Sequence, residues 1–487
     1  MAASYILIKG ATVLPVSPRN QVLHDHDILI EHSYIKSVAP NLTLPNLSPS
    51  TSTTIIDASN CIVTPGFVNG HHHLWQHLLR GLTADWSLFG YACHLRTVYG
   101  SLYSPEDVRI ANYAAGLSLL NNGVTTVLDH CHVVNSPEHA DAAVAGLKEV
   151  GIRGTFCYGF YPNPIVPGIP ESVADNTFDQ AKRLDDALRV RNKYFPDNNL
   201  ETALLTFGVA LDDPTNLTPE QNVQGLRDAR KLNPRITTVH ASVVSDGEPK
   251  PEIVQQLEDA SIMGPDLVFS HGVWFTDEEI DAVRRAKAGI IGTPDTEIQM
   301  GMGYPIVWKA SDARCRCGLG LDITSNQGND FVAQMRLALQ VQRAREYGHG
   351  YDQAVQRDLN RKAADVLRMA TLGGAEAMQL DSLIGSIEAG KKADLVLWRC
   401  DDIETVPILD PVATIVFHSS PKTIDTVLVD GKIIKKNGEF TELDWPSLRE
   451  QVQNRSGRLR SEAAKIDMAH AESRFQAVFK RAMEEEQ

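Results

Sequence analysis

Twelve residues near the start of the chain, PGFVNGHHHLWQ (Pro65 to Gln76), put three histidines at the end of an apolar run. Burying an imidazole costs free energy unless something pairs with it, and a metal ion is a common partner. Three later segments repeat the pattern of an apolar run that ends in a potential ligand: TTVHAS with His240, LVFSHGVW with His271 and GLGLDITSN with Asp322. His71 and His73 stand at i and i+2 of an extended segment, so their side chains leave one face and can reach one point. His72 must point elsewhere and reads as a bystander. Together the histidines and Asp322 form a ligand set for Zn²⁺ or Fe²⁺ with a further position left for water. Such an ion lowers the pKa of its water from 15.7 to roughly 7, which makes hydroxide available at neutral pH. The chemistry of that pattern is hydrolysis.

These residues need a scaffold that brings distant strand ends together. Eight short apolar runs are candidate strands: 63–70, 123–130, 152–159, 202–210, 236–242, 266–271, 288–293 and 317–322. Helical patterns lie between most of them. Ser104-Pro105-Glu106-Asp107 puts a cap, a first-turn proline and early acids in order, and Thr276 to Glu279 has capping-box spacing. Strands that alternate with helices in this way predict an α/β fold, a (β/α)₈ TIM barrel, with a doubly wound sheet as the alternative on pattern alone. In a barrel, chemistry sits at the C-terminal ends of the strands, where each candidate ligand falls.

Both chain ends read as short strands, so a small β-sandwich domain assembled from the two ends is expected. The expected division is 1–63 for its N-terminal part, 64–380 for the barrel, 381–440 for its C-terminal part and 441–487 for a charged helical tail. Segment 40–53 is rich in Pro, Ser and Thr and reads as a loop. The tail lies on the surface or meets another subunit.

Composition narrows the function classes. The chain has 487 residues, 43% of them hydrophobic, and a formal net charge of −15. That balance argues against wrapping a polyanion and favours a small-molecule substrate. The first residues lack a basic segment followed by a long apolar stretch, and no run is long enough to span a membrane. The seven cysteines contain no C-x-x-C pair and read as reduced residues of a cytoplasmic protein.

Taken together, these motifs resemble the amidohydrolase superfamily, on the aminohydrolase branch that includes cytosine, guanine, 8-oxoguanine and S-adenosylhomocysteine deaminases and the triazine hydrolases. PGFVNGHHHLWQ resembles that branch's Pro-Gly-x-x-(Asn/Asp)-x-His-x-His-x-x-Gln. GSIEAGKKADLVLW resembles its closing signature, and SHGVWFTDEEI its sixth-strand segment. The resemblance covers the chain to about residue 440. It implies that His71, His73, His240 and Asp322 bind the metal, and that Asp322 also shuttles a proton. It implies that His271 holds the attacking water or polarises the attacked carbon, and that Gln76 lies near the substrate. The fourth-strand run TALLTFGVA has no lysine to carbamylate, so one ion per subunit is implied, Zn²⁺ ahead of Fe²⁺. The family commonly forms dimers or larger assemblies, so a homo-oligomer is implied.

One departure stands out. The deaminases follow the fifth-strand histidine with Glu three residues later, an acid that protonates the substrate ring. Here the residues after His240 are Ala241, Ser242 and Val243. Valine donates no proton. The usual seventh-strand motif is also absent, and the chain reads GTPDTEIQMGMGYP. Glu297 and Gln299 alternate there, and Glu297 is the candidate replacement acid, with a loop cap as its bland alternative. Gln299 and Trp86 are candidate substrate contacts, with Trp75, Phe89 and Tyr91 as further members of an aromatic wall. Asp129, His130 and His132 follow the second strand and read as structural ahead of pocket-lining. Asn326 and Asp330 shape the loop after Asp322, Asp330 as a helix cap. Lys391, Lys392 and Asp394 read as structural; His77 and His94 have no assignment.

The resulting expectation is a hydrolase that uses metal-bound hydroxide on a non-peptide C–N bond of a small heterocycle or cyclic amide. Hydrolysis of an amide, lactam or other non-amine leaving group is the alternative that the missing acid keeps open. A non-catalytic scaffold on the same fold is the third reading, and the intact ligand set counts against it.

Overall fold

A computed structural model describes residues 4–17, 21–45, 51–161, 178–244, 252–348, 358–469 and 471–473. Residues 46–50 of the expected loop and 474–487 of the expected tail lie outside them.

The chain opens with β1 (Ser4–Val13), β2 (Leu23–Glu31), β3 (Tyr34–Ala39), β4 (Ser52–Asp57) and β5 (Cys61–Pro65). Eight strands then follow: β6 (Phe67–His72), β7 (Val124–Cys131), β8 (Arg153–Gly159), β9 (Leu205–Ala210), β10 (Thr237–Ala241), β11 (Leu267–His271), β12 (Gly289–Gly292) and β13 (Arg316–Leu319). They pair in sequence order, and every pair is parallel. Strands such as VTTVLDHC are buried at every residue, as strands covered on both faces must be. This is the expected (β/α)₈ barrel. Its helices begin as the sequence predicts: Ser104 and Asp107 form a capping box behind Pro105, and Thr276 and Glu279 form another.

The seam between β13 and β6 is made differently from the other seven junctions. A single bridge pairs His72 with Asp322. The Asp322 N–H donates to the His71 carbonyl at 3.0 Å, and the His73 N–H donates to the Asp322 carbonyl at 2.8 Å. Asn69 adds a side-chain stitch, its Oδ1 accepting from the Leu321 N–H at 3.0 Å.

The two chain ends form one nine-stranded sheet. To the first five strands it adds β14 (Leu395–Arg399), β15 (Ile424–Val429), β16 (Lys432–Lys436) and β17 (Glu439–Phe440), in the order β17-β16-β15-β14-β5-β1-β2-β3 with β4 against β1. β5 and β14 pair antiparallel and join the ends. Ile8, Ile28, Ile30, Val63, Leu395, Leu397 and Leu428 share its apolar cluster. An ion-pair knot fastens this sheet to the barrel. Arg153, at the start of β8 and 1% exposed, donates to both oxygens of Asp394 at 2.7 and 3.1 Å and to Asp430 at 2.8 Å.

Three boundaries differ from the sequence reading. The expected strand 63–70 is two strands, β5 in the end-built sheet and β6 in the barrel, so the cut at 63/64 falls inside β5. They part at Gly66, where a Cβ would lie 2.1 Å from Thr125 Oγ1, so only glycine fits. The run 317–322 stays extended only to Leu319, and Asp322 takes a left-handed φ of 60° beyond the strand. The 381–440 portion is not wholly β: Pro411–Ala413 and Thr414–His418 are helical, and Arg336 of the barrel helix Phe331–Tyr347 donates to the Val416 carbonyl.

The tail helix, Trp445–Ala463, packs on the barrel helix Pro105–Asn121. Its Arg455 and Arg458 both reach the buried Asp107. No helix among the described residues is long and apolar enough to cross a membrane.

Candidate metal centre

The strand ends deliver the expected ligands to one point. His71 Nε2 and His73 Nε2 lie 3.2 and 3.3 Å from Asp322 Oδ1. His240 Nε2 lies 3.3 Å from His73 Nε2. The ligand atoms of His71, His73 and His240 fall within 4.8 Å of one another, and so do those of His71, His271 and Asp322. Bonds of about 2 Å to one ion require this degree of convergence. His72 is buried in none of these groups, and neither of its ring nitrogens is hydrogen-bonded.

Each imidazole is held from behind. Ser270 Oγ lies 2.8 Å from His71 Nδ1, the His130 carbonyl 2.7 Å from His73 Nδ1, and Asp213 Oδ1 2.7 Å from His240 Nδ1. With Nδ1 occupied, Nε2 is the nitrogen presented to the centre in all three rings. Such outer contacts fix the tautomer and ring angle of a metal-ligating histidine. Asp213 is itself held by the Tyr161 hydroxyl, which donates to its Oδ1 at 3.1 Å.

The charge states suit a cation. Burial pushes His71 down to about 3 and His240 to about 4, against the raising effect of Asp322 and Asp213 respectively. Burial works against the Asp322 carboxylate too, but His71 and His73 outweigh it and hold the carboxyl well below its usual range. Neutral imidazoles facing an ionised carboxylate are the protonation states that ligation needs. His71 Nε2 is buried and makes no hydrogen bond, an orphaned lone pair of the sort a metal satisfies. The residues present therefore fit a divalent ion.

His271 ends β11 with a left-handed φ of 71°. Thr293 Oγ1 lies 2.9 Å from its Nδ1, and Glu297 Oε1 lies 3.4 Å from the same atom. Burial disfavours the charged ring, but Glu297, Asp322 and Asp213 together raise its pKa.

The expected alternation of Glu297 and Gln299 is corrected. Pro294–Gln299 is a helix, so residues two apart diverge by about 200°. Glu297 is wholly buried behind His271 and takes the Thr293 N–H at 2.7 Å. Gln299 is exposed and donates to the Ala84 carbonyl and to Asn326 Oδ1, both at 2.6 Å. Gln76 is buried, donating to the Tyr91 hydroxyl at 2.7 Å and accepting from Ser325 Oγ at 2.6 Å. The aromatic wall does not assemble as one surface. Trp75 is fully buried edge-on to Tyr103, Trp86 stands edge-on to His94, and Phe89 is 39% exposed. Asp330 caps the helix after the loop, accepting from the Val332 and Ala333 N–H groups.

His130 and His132 lie against the candidate ligands. Their ligand atoms lie within 4.8 Å of each other and of His240, His130 stacks on His240 at 4.3 Å, and His132 stacks on His73 at 4.0 Å. Asp129 is the structural member of that trio. It accepts from the Leu74 N–H and Asn112, and burial pushes it up to about 7. Ser270, Tyr161, Asp213 and Thr293 went unnoticed in the sequence. Asp213 follows the apolar run of β9, so the rule that found His240 and Asp322 applies to it equally.

Comparison with known proteins agrees with this geometry. The chain is 27% identical over 440 residues to a 5-methylthioadenosine/S-adenosylhomocysteine deaminase of Thermococcus kodakarensis, covering 88% of this chain and 93% of that protein. It is 26% identical over 470 residues to the protein of that name from Thermoanaerobacter pseudethanolicus, covering 93% and 99%. Its fold matches the zinc-bound crystal structure of an adenosine deaminase from Xanthomonas campestris with a TM-score of 0.79 at 22% identity, over 94% of this chain and 98% of that one. An atrazine chlorohydrolase from Arthrobacter aurescens, complexed with zinc, superposes with a TM-score of 0.76 at 21% identity, over 93% of this chain and 100% of that one. The amidohydrolase family profile matches residues 62–434, and the chain belongs to that family.

Proposed function

We propose that this protein is a metal-dependent hydrolase that cleaves a non-peptide carbon–nitrogen bond of a small heterocycle and releases nitrogen as ammonia or an amine. The observation that carries the reading is the convergence of His71 and His73 on Asp322 Oδ1 with His240 Nε2 beside His73 Nε2, each ring fixed through Nδ1. The deaminase names of relatives that align over most of the chain support it. His71, His73, His240 and Asp322 would hold one divalent ion, Zn²⁺ ahead of Fe²⁺, which supplies hydroxide at neutral pH and polarises the attacked group.

The chain's own residues handle the protons. Asp322, ionised and facing the histidines, accepts a proton at its carboxylate and returns it to the leaving nitrogen. His271, with Nδ1 tied to Thr293 and Glu297, directs Nε2 at the oxygen being added to the substrate. Glu297 acts through that ring as a positioning residue, because its carboxylate faces His271 and Thr293. Gln76, locked between Tyr91 and Ser325, lines the substrate side.

A second reading keeps the same centre but removes a non-amine leaving group. Val243 favours it, since no acid follows His240 to protonate a substrate ring. A cytoplasmic setting belongs to either reading, and all seven cysteines are free. Elemental analysis of purified protein tests the centre: about one equivalent of Zn or Fe is expected, lost in the double substitution His71→Ala/His73→Ala. Absence of metal after growth with both ions would sink the hydrolase. Ammonia release from amino-heterocycles, compared with cyclic amides, then separates the two readings.

A further inference from the structure

Arg96 is a cation that forms no ion pair among the described residues and stacks on a ring beside the candidate metal centre. It lies on the helical segment Tyr91–Tyr99, five residues after the tyrosine that anchors Gln76. Its guanidinium sits 4.6 Å over the Tyr161 ring. Tyr161 is part of the centre: its hydroxyl is 2.8 Å from His130 Nε2 and 3.2 Å from His240 Nδ1, and its ring stands edge-on to His132 at 4.6 Å. Arg96 is thus one ring's thickness from a candidate metal ligand.

The Arg96 Nη1 is buried and makes no hydrogen bond, and Arg96 forms no ion pair among the described residues. Its charge helps to keep Asp213 ionised, but it forms no ion pair with that carboxylate, whose Oδ1 meets His240 and Tyr161. The other groups its charge reaches are Tyr91, His130, Cys131, His132 and Tyr161, none of them an acid that would be ionised at neutral pH. A guanidinium is planar, always charged and suited to paired bonds with an oxyanion. Leaving one of its buried N–H groups unmet costs free energy, and more for a charged group than for a neutral one. A stacked arginine held beside a reaction centre with a buried, unmet N–H is suited to an anion.

We propose that Arg96 recognises an anionic group on the substrate, so that the substrate is a heterocycle bearing a carboxylate or similar oxyanion. This rests on the hydrolase reading and narrows its substrate class. Tyr161 presents the guanidinium by stacking, and the unmet Nη1 takes the oxyanion while the ring carbon lies toward His271 and Asp322.

The test uses full-length, zinc-loaded protein and isosteric probes: 4-aminopyrimidine-5-carboxylate against 4-aminopyrimidine-5-carboxamide. Dissociation constants from calorimetry and ammonia release are both measured. The acid is expected to bind at least about tenfold more tightly than the amide, the scale of one charge-assisted bond. Arg96→Gln should erase that preference, and Arg96→Lys should retain part of it with the same thermal unfolding midpoint as the parent. Equal binding of the two probes, failure of the acid to bind, or a preference that survives Arg96→Gln would overturn the inference. The last outcome would assign the preference to direct chelation of the metal. If zinc content and ammonia release are intact while the preference is missing, only this inference falls; if zinc does not bind, the hydrolase reading falls with it.

Discussion

A single carboxylate shows how the centre is set. Asp213 touches no substrate and is not in the expected ligand set, yet it fixes the tautomer of His240 through Nδ1. Desolvation pushes its pKa up, but His240, Arg96 and Tyr161 hold it down at about 2, so it stays charged. Asp213→Asn should weaken metal binding roughly 10- to 100-fold while leaving the fold intact, as losses of such outer contacts do; competition with a chelator of known affinity reads the change. An unchanged affinity would remove Asp213 from the centre. At this scale the ligands were legible because strand-end chemistry leaves a local mark: an apolar run, then His or Asp. The residues behind them were not. Ser270 and Thr293 are ordinary polar residues whose role depends on which strand lies next to theirs, and no single segment of sequence records that. His130 and His132 are visible as a pair, but the pattern does not say how far the second strand's end leans toward the fifth.

The barrel strands were legible at the scale of the element because buried parallel strands are short, apolar and separated by capped helices. The failures came where two elements abut without a turn signal. β5 and β6 read as one strand because a single glycine separates them. Pro294–Gln299 read as extended because six residues give too little periodicity to show a helix. Close backbone approach is equally silent until the structure is known. A Cβ on Gly318 of β13 would lie 2.5 Å from Gly374 Cα of the helix packed against it. Gly318→Ala should cost about 3 kcal/mol or more, because backbone cannot yield as a side chain does. Urea denaturation of the metal-free protein reads this directly, and a loss under about 1 kcal/mol would show that the two elements separate easily.

For the whole molecule, the knot of Arg153, Asp394 and Asp430 decides how the end-built sheet sits on the barrel. Its Asp394 belongs to the closing signature, so the sequence marked the residue as important without showing its partner 241 positions away. Asp394→Ala would leave a guanidinium that is 1% exposed with Asp430 alone and its Nε–H unmet. A loss of about 3–5 kcal/mol is expected, the cost of leaving one member of a buried pair uncompensated, measured as a lower denaturant midpoint. A midpoint shift within error would show that Arg153 finds another acceptor. The seam has a different consequence. The barrel is closed there by the backbone of His71, His73 and Asp322, the same residues whose side chains are candidate ligands. Loading the centre and closing the ring of strands are therefore one linked equilibrium. An ion that binds only the closed form adds RT ln(1 + [L]/Kd) to its stability, about 4 kcal/mol at a thousandfold excess over Kd. A chelator would then act as a denaturant aimed at one junction, and the supply of metal in the cell would set how much of this chain is folded as well as how much is active.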